Sequence, residues 1–363
     1  MTRTLLLLPG DHPGAANIQA IGKVVEHVAA EVGFAVESGL VGGASIDAYG
    51  VPITDRTMAR AKAATAILYG TVGGPKWLSL PNDRRPSMGS HRLRQELNLY
   101  ANVRPSAIYD ELIDASSFKP SVVAGLDLIV VRELVGGLYN GKPRGIETMP
   151  DGQRRGLNTL TYTSQEIRRV ARVAFECAAE RSGRVCSVEK TTMIDTSLLW
   201  HQEAKALRDE EFPNIDLSHM TVDAVAHELT LNPRQFDVLL TDNMFGDILS
   251  DAVAGITGMV SMLPSAMLTD KGADGLRFGL YHQMNASLAV RAKIDKPNPL
   301  GTLLALAMAL RYSFGAPAVA KRLEQAVAGL LKDGIRSHDM PQPKGCKVLS
   351  AAELCDYVLA KLR

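Results

Sequence analysis

The segment "LLTDNMFGDILSDAVAGITGMVSMLPSA", Leu239–Ala266, decides how this chain is read. It opens inside a short apolar run, Val238–Thr241, that predicts a strand. The following "FGDILSDAVAGI" places Phe245, Ile248, Leu249, Val253 and Ile256 at helical spacing. A strand running directly into an amphipathic helix is the repeating unit of an α/β fold. Into that apolar frame are set Asp242, Asp247 and Asp251. Asp247 and Asp251 stand four apart and therefore share one helix face, where like charges repel. The apolar neighbours argue against a freely solvated acid face. A divalent cation resolves the conflict, because hard carboxylate oxygens suit Mg²⁺ or Mn²⁺. Asp223, in "TVDAVAHEL", is a third candidate acid, whereas Asp242 lacks the helical spacing and is assigned a structural role.

Outward from this segment the same alternation continues. Strands are expected at Leu5–Leu8, Phe34–Leu40, in "TAILYGTVGG" (Thr65–Gly74), at Leu126–Arg132 and at Arg184–Glu189. Helices are expected at Ala16–Val32, Thr54–Ala64, Ser164–Ala179, Asp195–Arg208, Val222–Asn232, Leu300–Tyr312 and Pro317–Lys332. No GxGxxG follows a strand, so an ordinary dinucleotide fingerprint is absent.

At 363 residues and 46% hydrophobic content, the chain is long enough for two domains or one large one with a substantial core. Its formal net charge of +1 argues against nucleic acid or an anionic membrane as the main partner. A small anionic ligand must instead be held by a local basic cluster. Cys177, Cys186, Cys346 and Cys355 lack metal-site or CxxC spacing and read as free thiols in a reducing compartment. "MTRTLLLLPG" is too short for a signal peptide and reads as a buried first strand. No apolar run reaches the length of a membrane span, and a soluble cytoplasmic protein is expected.

The basic cluster lies in two segments. "HRLRQELNLYANVRP" places Arg94 and Arg104 either side of a helix-like "QELNLYAN". "VVRELVGGLYNGKPRG" adds Arg132 at a strand end and Tyr139 beyond a Gly-Gly pair. An arginine at a strand end before glycines is well placed to grip a carboxylate with both arms of its fork. Any one such arginine alone is more often a surface ion-pair partner, and it is the grouping with glycine turns and acids that gives the set meaning. Lys190, after the apolar run "RVCSVEK", is a candidate proton-transfer group.

These motifs, with "LLPGDHPG" and "GTVGGPKW", resemble the β-decarboxylating dehydrogenases, the family of isopropylmalate, isocitrate, homoisocitrate and tartrate dehydrogenases. The isopropylmalate type, fungal forms in particular, is the nearest match, and the likeness runs from Leu5 to about Asp339. The resemblance implies a two-domain α/β sandwich, with residues 1–102 and 257–363 in a discontinuous dinucleotide-type domain and 103–256 in the second. It implies metal-dependent oxidation and decarboxylation of a 3-carboxy-2-hydroxy acid. Arg94, Arg104 and Arg132 match the carboxylate-binding positions, and Tyr139 matches the proton donor to the enolate. Lys190 matches the group that deprotonates the hydroxyl, with Asp223 its partner and a metal ligand beside Asp247 and Asp251. In the family Lys190 and Asp223 serve the neighbouring subunit's site, which implies a homodimer.

Three departures fall on the cofactor and side-chain pockets. In "YHQMNASLAVRAKIDKPNP" (Tyr281–Pro299), Asn285 stands where the family has a loop histidine, and Val290 where it has the ribose-binding aspartate. Asn285, Ser287, Val290 and Asn298 are the loop's candidate cofactor contacts, and with Arg291 and Lys293 nearby NAD, NADP or no dinucleotide all stay open. Thr192, in "EKTTMID", replaces an asparagine expected near nicotinamide and substrate. Ser90 and His91 replace two leucines that pack a branched alkyl group, so a different or more polar substituent is expected there. The alternative is a paralogue of specialised metabolism that keeps the metal and arginine machinery but acts as a non-redox lyase, decarboxylase or isomerase.

Overall fold

The computed structural model describes residues 3–284 and 296–363. In chain order its main strands are β1 Thr4–Leu8, β2 Ala35–Ser38, β3 Ala66–Tyr69, β4 Ala101–Ala107, β5 Asp127–Glu133, β6 Gly145–Thr148, β7 Arg154–Leu157, β8 Arg184–Glu189, β9 Asp216–Thr221, β10 Val238–Thr241, β11 Pro264–Lys271 and β12 Arg277–Gln283. The helices are α1 Gly14–Ala20, α2 Gly22–Val32, α3 Gly43–Tyr49, α4 Asp55–Ala63, α5 Ser87–Glu96, α6 Pro120–Val123, α7 Ser164–Ala179, α8 Asp195–Glu211, α9 Val222–Leu231 and α10 Asn243–Thr257. After them come α11 Leu300–Tyr312, α12 Pro317–Lys332 and α13 Ala351–Leu362. The chain divides into two compact units. Unit 1 comprises Met1–Leu99, Tyr109–Ser117 and Thr257–Arg363, and unit 2 comprises Tyr100–Ile108 and Phe118–Ile256.

Unit 1 is built on strands in the order β2-β1-β3-β12-β11, parallel except for the antiparallel β11–β12 pair. The chain order reverses at β1, which has β2 on one side and β3 on the other. In an open α/β sheet that is the switch point where ligands approach the carboxyl ends of strands. The turns there are glycine by necessity. A Cβ on Gly10, whose φ is +70°, would collide with the carbonyl of Thr71. The carboxylate of Asp11 accepts from the backbone N–H groups of Gly43, Ala44 and Gly73 at 2.7–2.8 Å, tying three loops together. α11 is buried along its length from Leu300 to Leu310 and lies against β11 and β12. Its apolar residues occur all round, as burial on every side requires.

Two expectations fail in unit 1 or at its border. The single helix over Ala16–Val32 is two, broken at Ile21 ahead of Gly22, a weak helix former. "QELNLYAN" is not a helix either. α5 stops at Glu96, Asn98 takes a left-handed φ of 49°, and β4 has begun by Ala101. Pairing with β5 overrides the local preference.

Unit 2 is built on β4-β5-β10-β8-β9, with β4 antiparallel and the other four parallel. β5 and β10 are almost wholly buried, as in a sheet covered on both faces. α7 carries a capping box of Thr163 and Glu166 and buries Ile167, Val170, Ala174 and Phe175. The Ile, Val and Phe side chains each contribute about 2 kcal/mol on burial. β6 and β7 form a separate antiparallel hairpin whose residues are all exposed.

Candidate active site

Because β5, β10, β8 and β9 are parallel, their carboxyl ends share one edge of unit 2. Arg132 is the penultimate residue of β5, Asp242 follows β10, Lys190 follows β8, and Asp223 lies in the first turn of α9, which follows β9 directly. Four segments far apart in sequence thus deliver chemistry-bearing side chains to the edge where α/β sheets bind ligands.

The opening conflict between burial and charge resolves differently for each acid. Asp242 is the one that is buried, at 8% exposure. Its Oδ1 accepts from Phe245 N–H at 2.7 Å, which makes it the N-cap of α10. Burial pushes its pKa up to about 6. Asp247 and Asp251 lie on the outer face of α10, with side chains 42% and 52% exposed. Ile248 between them is 62% exposed, so the expected apolar enclosure of these acids is wrong. Phe245, Leu249, Val253 and Ile256 form the opposite, buried face. The helix is amphipathic, and its i, i+4 acids ride the open side.

Arg132, with its side chain 5% exposed, reaches that face from below and forms an ion pair with Asp247 Oδ1. Tyr139 Oη donates to the other oxygen, Oδ2, at 3.1 Å, and the guanidinium lies 5.8 Å from the tyrosine ring centre. Burial first, and then the Asp247 charge, raises the Tyr139 pKa, so the phenol keeps its proton at neutral pH. Arg104, on β4, bonds Ser250 Oγ at 2.5 Å and Asn102 Oδ1 at 2.7 Å and meets Asp251 at 3.5 Å. The result is a field of two guanidinium groups, a phenol and two open carboxylates. Lys190 Nζ bonds Asp223 Oδ1 at 2.5 Å, and that contact holds the aspartate below its usual range. Among the described residues Asp223, Asp247 and Asp251 do not form a group whose carboxylate oxygens all lie within 4.8 Å of one another.

Sequence reading missed the residues that hold the arginine in place. Asn243, 1% exposed, accepts at Oδ1 from Arg132 Nε (3.1 Å) and Nη2 (2.7 Å). Its Nδ2 donates to the carbonyls of Leu134 (3.0 Å) and Gly136 (2.9 Å). One amide thus ties strand, glycine turn and helix together. A Cβ on Gly246 would stand 2.7 Å from Arg132 Cβ and Cγ, so only glycine lets α10 pass the arginine. Glu133, fully buried behind Arg132, accepts from Val135 and Gly136 N–H at 3.1 and 2.8 Å. Burial lifts its pKa to about 7. Asn243 and Gly246 carry no periodic signal, because the role of each is set by Arg132, more than a hundred residues away.

The remaining candidates are placed as follows. Ser90, His91 and Arg94 stand on α5 of unit 1. The Ser90 hydroxyl bonds the Ser87 carbonyl at 2.8 Å, as a helix residue satisfied within its own turn. Thr192 is exposed in the turn between β8 and α8. Asn298 is buried in unit 1, where Nδ2 donates to Asp339 at 3.0 Å and Oδ1 accepts from Leu300 N–H at 3.1 Å. Asn285, Ser287, Val290, Arg291 and Lys293 lie outside the described residues.

The family model for isocitrate/isopropylmalate dehydrogenase matches residues 4–358. The chain belongs to that family. A 3-isopropylmalate dehydrogenase of Paramagnetospirillum magneticum is 46% identical over 95% of this chain and 94% of its own length. One from Chromohalobacter salexigens is 47% identical over 99% of both. The crystal structure of an isocitrate dehydrogenase from Methylococcus capsulatus superposes with a TM-score of 0.83 at 29% identity, covering 100% of both chains. The family's enzymes are decarboxylating dehydrogenases that use a nicotinamide dinucleotide and a divalent metal, and the enzyme class read from the motifs stands. The oxygen donors of Asp247 and Asp251, exposed on one helix face with no thiol or imidazole among them, fit such a hard cation. Among the described residues no helix is long and apolar enough to cross a membrane, and all four cysteines are free.

Proposed function

We propose that this chain oxidatively decarboxylates a 3-carboxy-2-hydroxy acid of the 3-isopropylmalate type, with NAD or NADP and Mg²⁺ or Mn²⁺. The observation that carries the reading is the Arg132–Asp247–Tyr139 constellation at the carboxyl edge of unit 2. Arg132 and Arg104 bind and orient the two substrate carboxylates, exchanging Asp247 and Asp251 for those of the ligand, and Arg94 is assigned to the same carboxylates. Lys190, held by Asp223, takes the proton of the C2 hydroxyl. Tyr139, its phenol held protonated, returns a proton to carbon once CO₂ has left. Asp247 and Asp251, with Asp223, would hold a divalent ion that would supply Lewis-acid polarisation, and a bound dinucleotide would supply the hydride acceptor. Asn298 and Thr192, with the loop of Asn285, Ser287 and Val290, are assigned to the dinucleotide side.

The active enzyme is a homodimer with shared sites. Ile248 flanks Asp247 and is 62% exposed, and Met193, three residues beyond Lys190, is 80% exposed. Apolar side chains this open beside both halves of the machinery suit burial against a second copy, as does the exposed hairpin of β6 and β7, where Ile146 is 70% exposed. Free thiols suit the reducing cytoplasm.

Ser90 and His91 favour a second reading of the substrate alone, in which the 3-substituent is more polar than isopropyl. The experiment is a paired assay of dinucleotide reduction and CO₂ release with 3-isopropylmalate, isocitrate and homoisocitrate, each with Mg²⁺ or Mn²⁺ and NAD⁺ or NADP⁺. Reduction with 3-isopropylmalate as the best substrate supports the main reading, and a preference for isocitrate or homoisocitrate supports the second. CO₂ release without reduction moves the chain to the non-redox alternative. Neither signal with any substrate refutes the assignment.

A further inference from the structure

Outside the machinery just described, unit 2 holds a second group of ligating side chains. Glu189 ends β8, His219 lies on neighbouring β9, and His201 projects from α8. His219 Nδ1 lies 2.6 Å from Glu189 Oε1, and His201 Nδ1 lies 2.9 Å from Oε2. Ser187 Oγ donates to Oε1 at 2.8 Å, so the carboxylate is fixed from three sides. The imidazoles stack with centres 3.9 Å apart and planes tilted by 38°. Among the described residues this is the one set of three ligating side chains whose donor atoms all lie within 4.8 Å of one another.

We infer that Glu189, His201 and His219 form a binding site for a borderline transition-metal dication of the zinc, cobalt and nickel class, separate from the aspartate site on α10. Two imidazoles and one carboxylate select such ions over Mg²⁺, which takes oxygen ligands almost exclusively. For ligand bonds near 2.1 Å, adjacent donors around a five- or six-coordinate ion lie about 3 Å apart. The two N···O separations therefore need to open by only a few tenths of an ångström. The charge balance is favourable, because the dication would meet the carboxylate of Glu189, whose side chain is 4% exposed. In the bound form each imidazole would present its Nδ1 lone pair to the ion and carry its hydrogen on Nε2. The side chains of His201 and His219 are 35% and 22% exposed, which gives solvent the access that this exchange and the remaining coordination positions need. Glu189, at 4%, is the buried anchor. Because it directly precedes Lys190, a bound ion would also brace the strand end that presents the lysine.

The test uses the untagged full-length chain, stripped with EDTA and then saturated with Mg²⁺ to fill the aspartate site. Titration with Co²⁺, read by visible d–d absorption, and with Zn²⁺, read by competition with a chromogenic chelator, is expected to show one equivalent per chain. Both signals should persist in Asp247→Asn. They should weaken by at least about a hundredfold in His201→Ala and in His219→Ala, since loss of even an indirect partner of a ligand costs tenfold or more. His201 is half-exposed on a helix, so its variant folds even where the His219 one is compromised. The inference is overturned if the wild-type chain takes up no Co²⁺ or Zn²⁺ in the presence of Mg²⁺. It is equally overturned if binding is unchanged in His201→Ala, or if Asp247→Asn abolishes it.

Discussion

The residue on which the arginine field depends most is Asn243, which touches no expected ligand. Replacing it with alanine removes four hydrogen bonds at a position 1% exposed. Two of them come from a guanidinium whose side chain is itself only 5% exposed. Hydrogen bonds to charged groups contribute about 1.5–3 kcal/mol each and neutral ones about 1 kcal/mol. Water entering the vacated volume recovers part of this sum, so the expected loss of unfolding free energy is about 3–5 kcal/mol. The catalytic effect is separate. Among the described contacts Arg132 then keeps its ion pair with Asp247 and its place beside the Tyr139 ring, and its guanidinium is less firmly positioned. Misplacement worth about 1.4 kcal/mol raises KM for the hydroxy acid about tenfold, while KM for the dinucleotide is unchanged. Urea denaturation gives the first quantity and steady-state kinetics the second. A loss of stability below about 1 kcal/mol together with an unchanged substrate KM would refute the view that this amide positions Arg132.

Three other outcomes are expected. Gly246→Ala sets a methyl group against Arg132 Cβ and Cγ, so it should cost about 1–3 kcal/mol of stability and lower kcat/KM, and a neutral thermal melt would contradict that packing. Glu133 has a folded pKa raised from 4.5 to about 7, so the native state holds a proton that the unfolded chain releases. Its contribution is therefore fully present below about pH 4.5 and is lost as pH rises toward 7, by at most about 3 kcal/mol, and Glu133→Gln should flatten that slope in urea midpoints taken across this range. If Lys190 and Asp247 serve one site from two subunits, mixing inactive Lys190→Ala and Asp247→Asn chains after subunit exchange should restore about one quarter of wild-type activity, and no recovery would place both residues in one chain's site.

How much was legible in the sequence follows from the range of the interactions involved. Strand and helix periodicity is a local signal, and Arg184–Glu189, Val238–Thr241, Ser164–Ala179, Leu300–Tyr312 and Pro317–Lys332 emerge with the expected bounds. The alternation of these elements determined an α/β chain, and the ordered Arg, Tyr, Lys and Asp motifs determined the enzyme family. Tertiary structure decided what depends on distant partners. The i, i+4 spacing of Asp247 and Asp251 put them on one face of α10, but which face is open was settled by Phe245, Leu249, Val253 and Ile256 packing inward. "QELNLYAN" has helical composition, yet β4 forms because Ala101–Ala107 finds β5 alongside. Asn243 and Gly246 have no pattern of their own, since each is required by the side chain of Arg132. Glu189, His201 and His219 are spread over thirty-one residues with no ligand spacing, and only the parallel pairing of β8 and β9 beneath α8 brings one carboxylate between two imidazoles. Sequence carries short-range preference, whereas the convergence of side chains at a sheet edge comes from the packing of the whole unit.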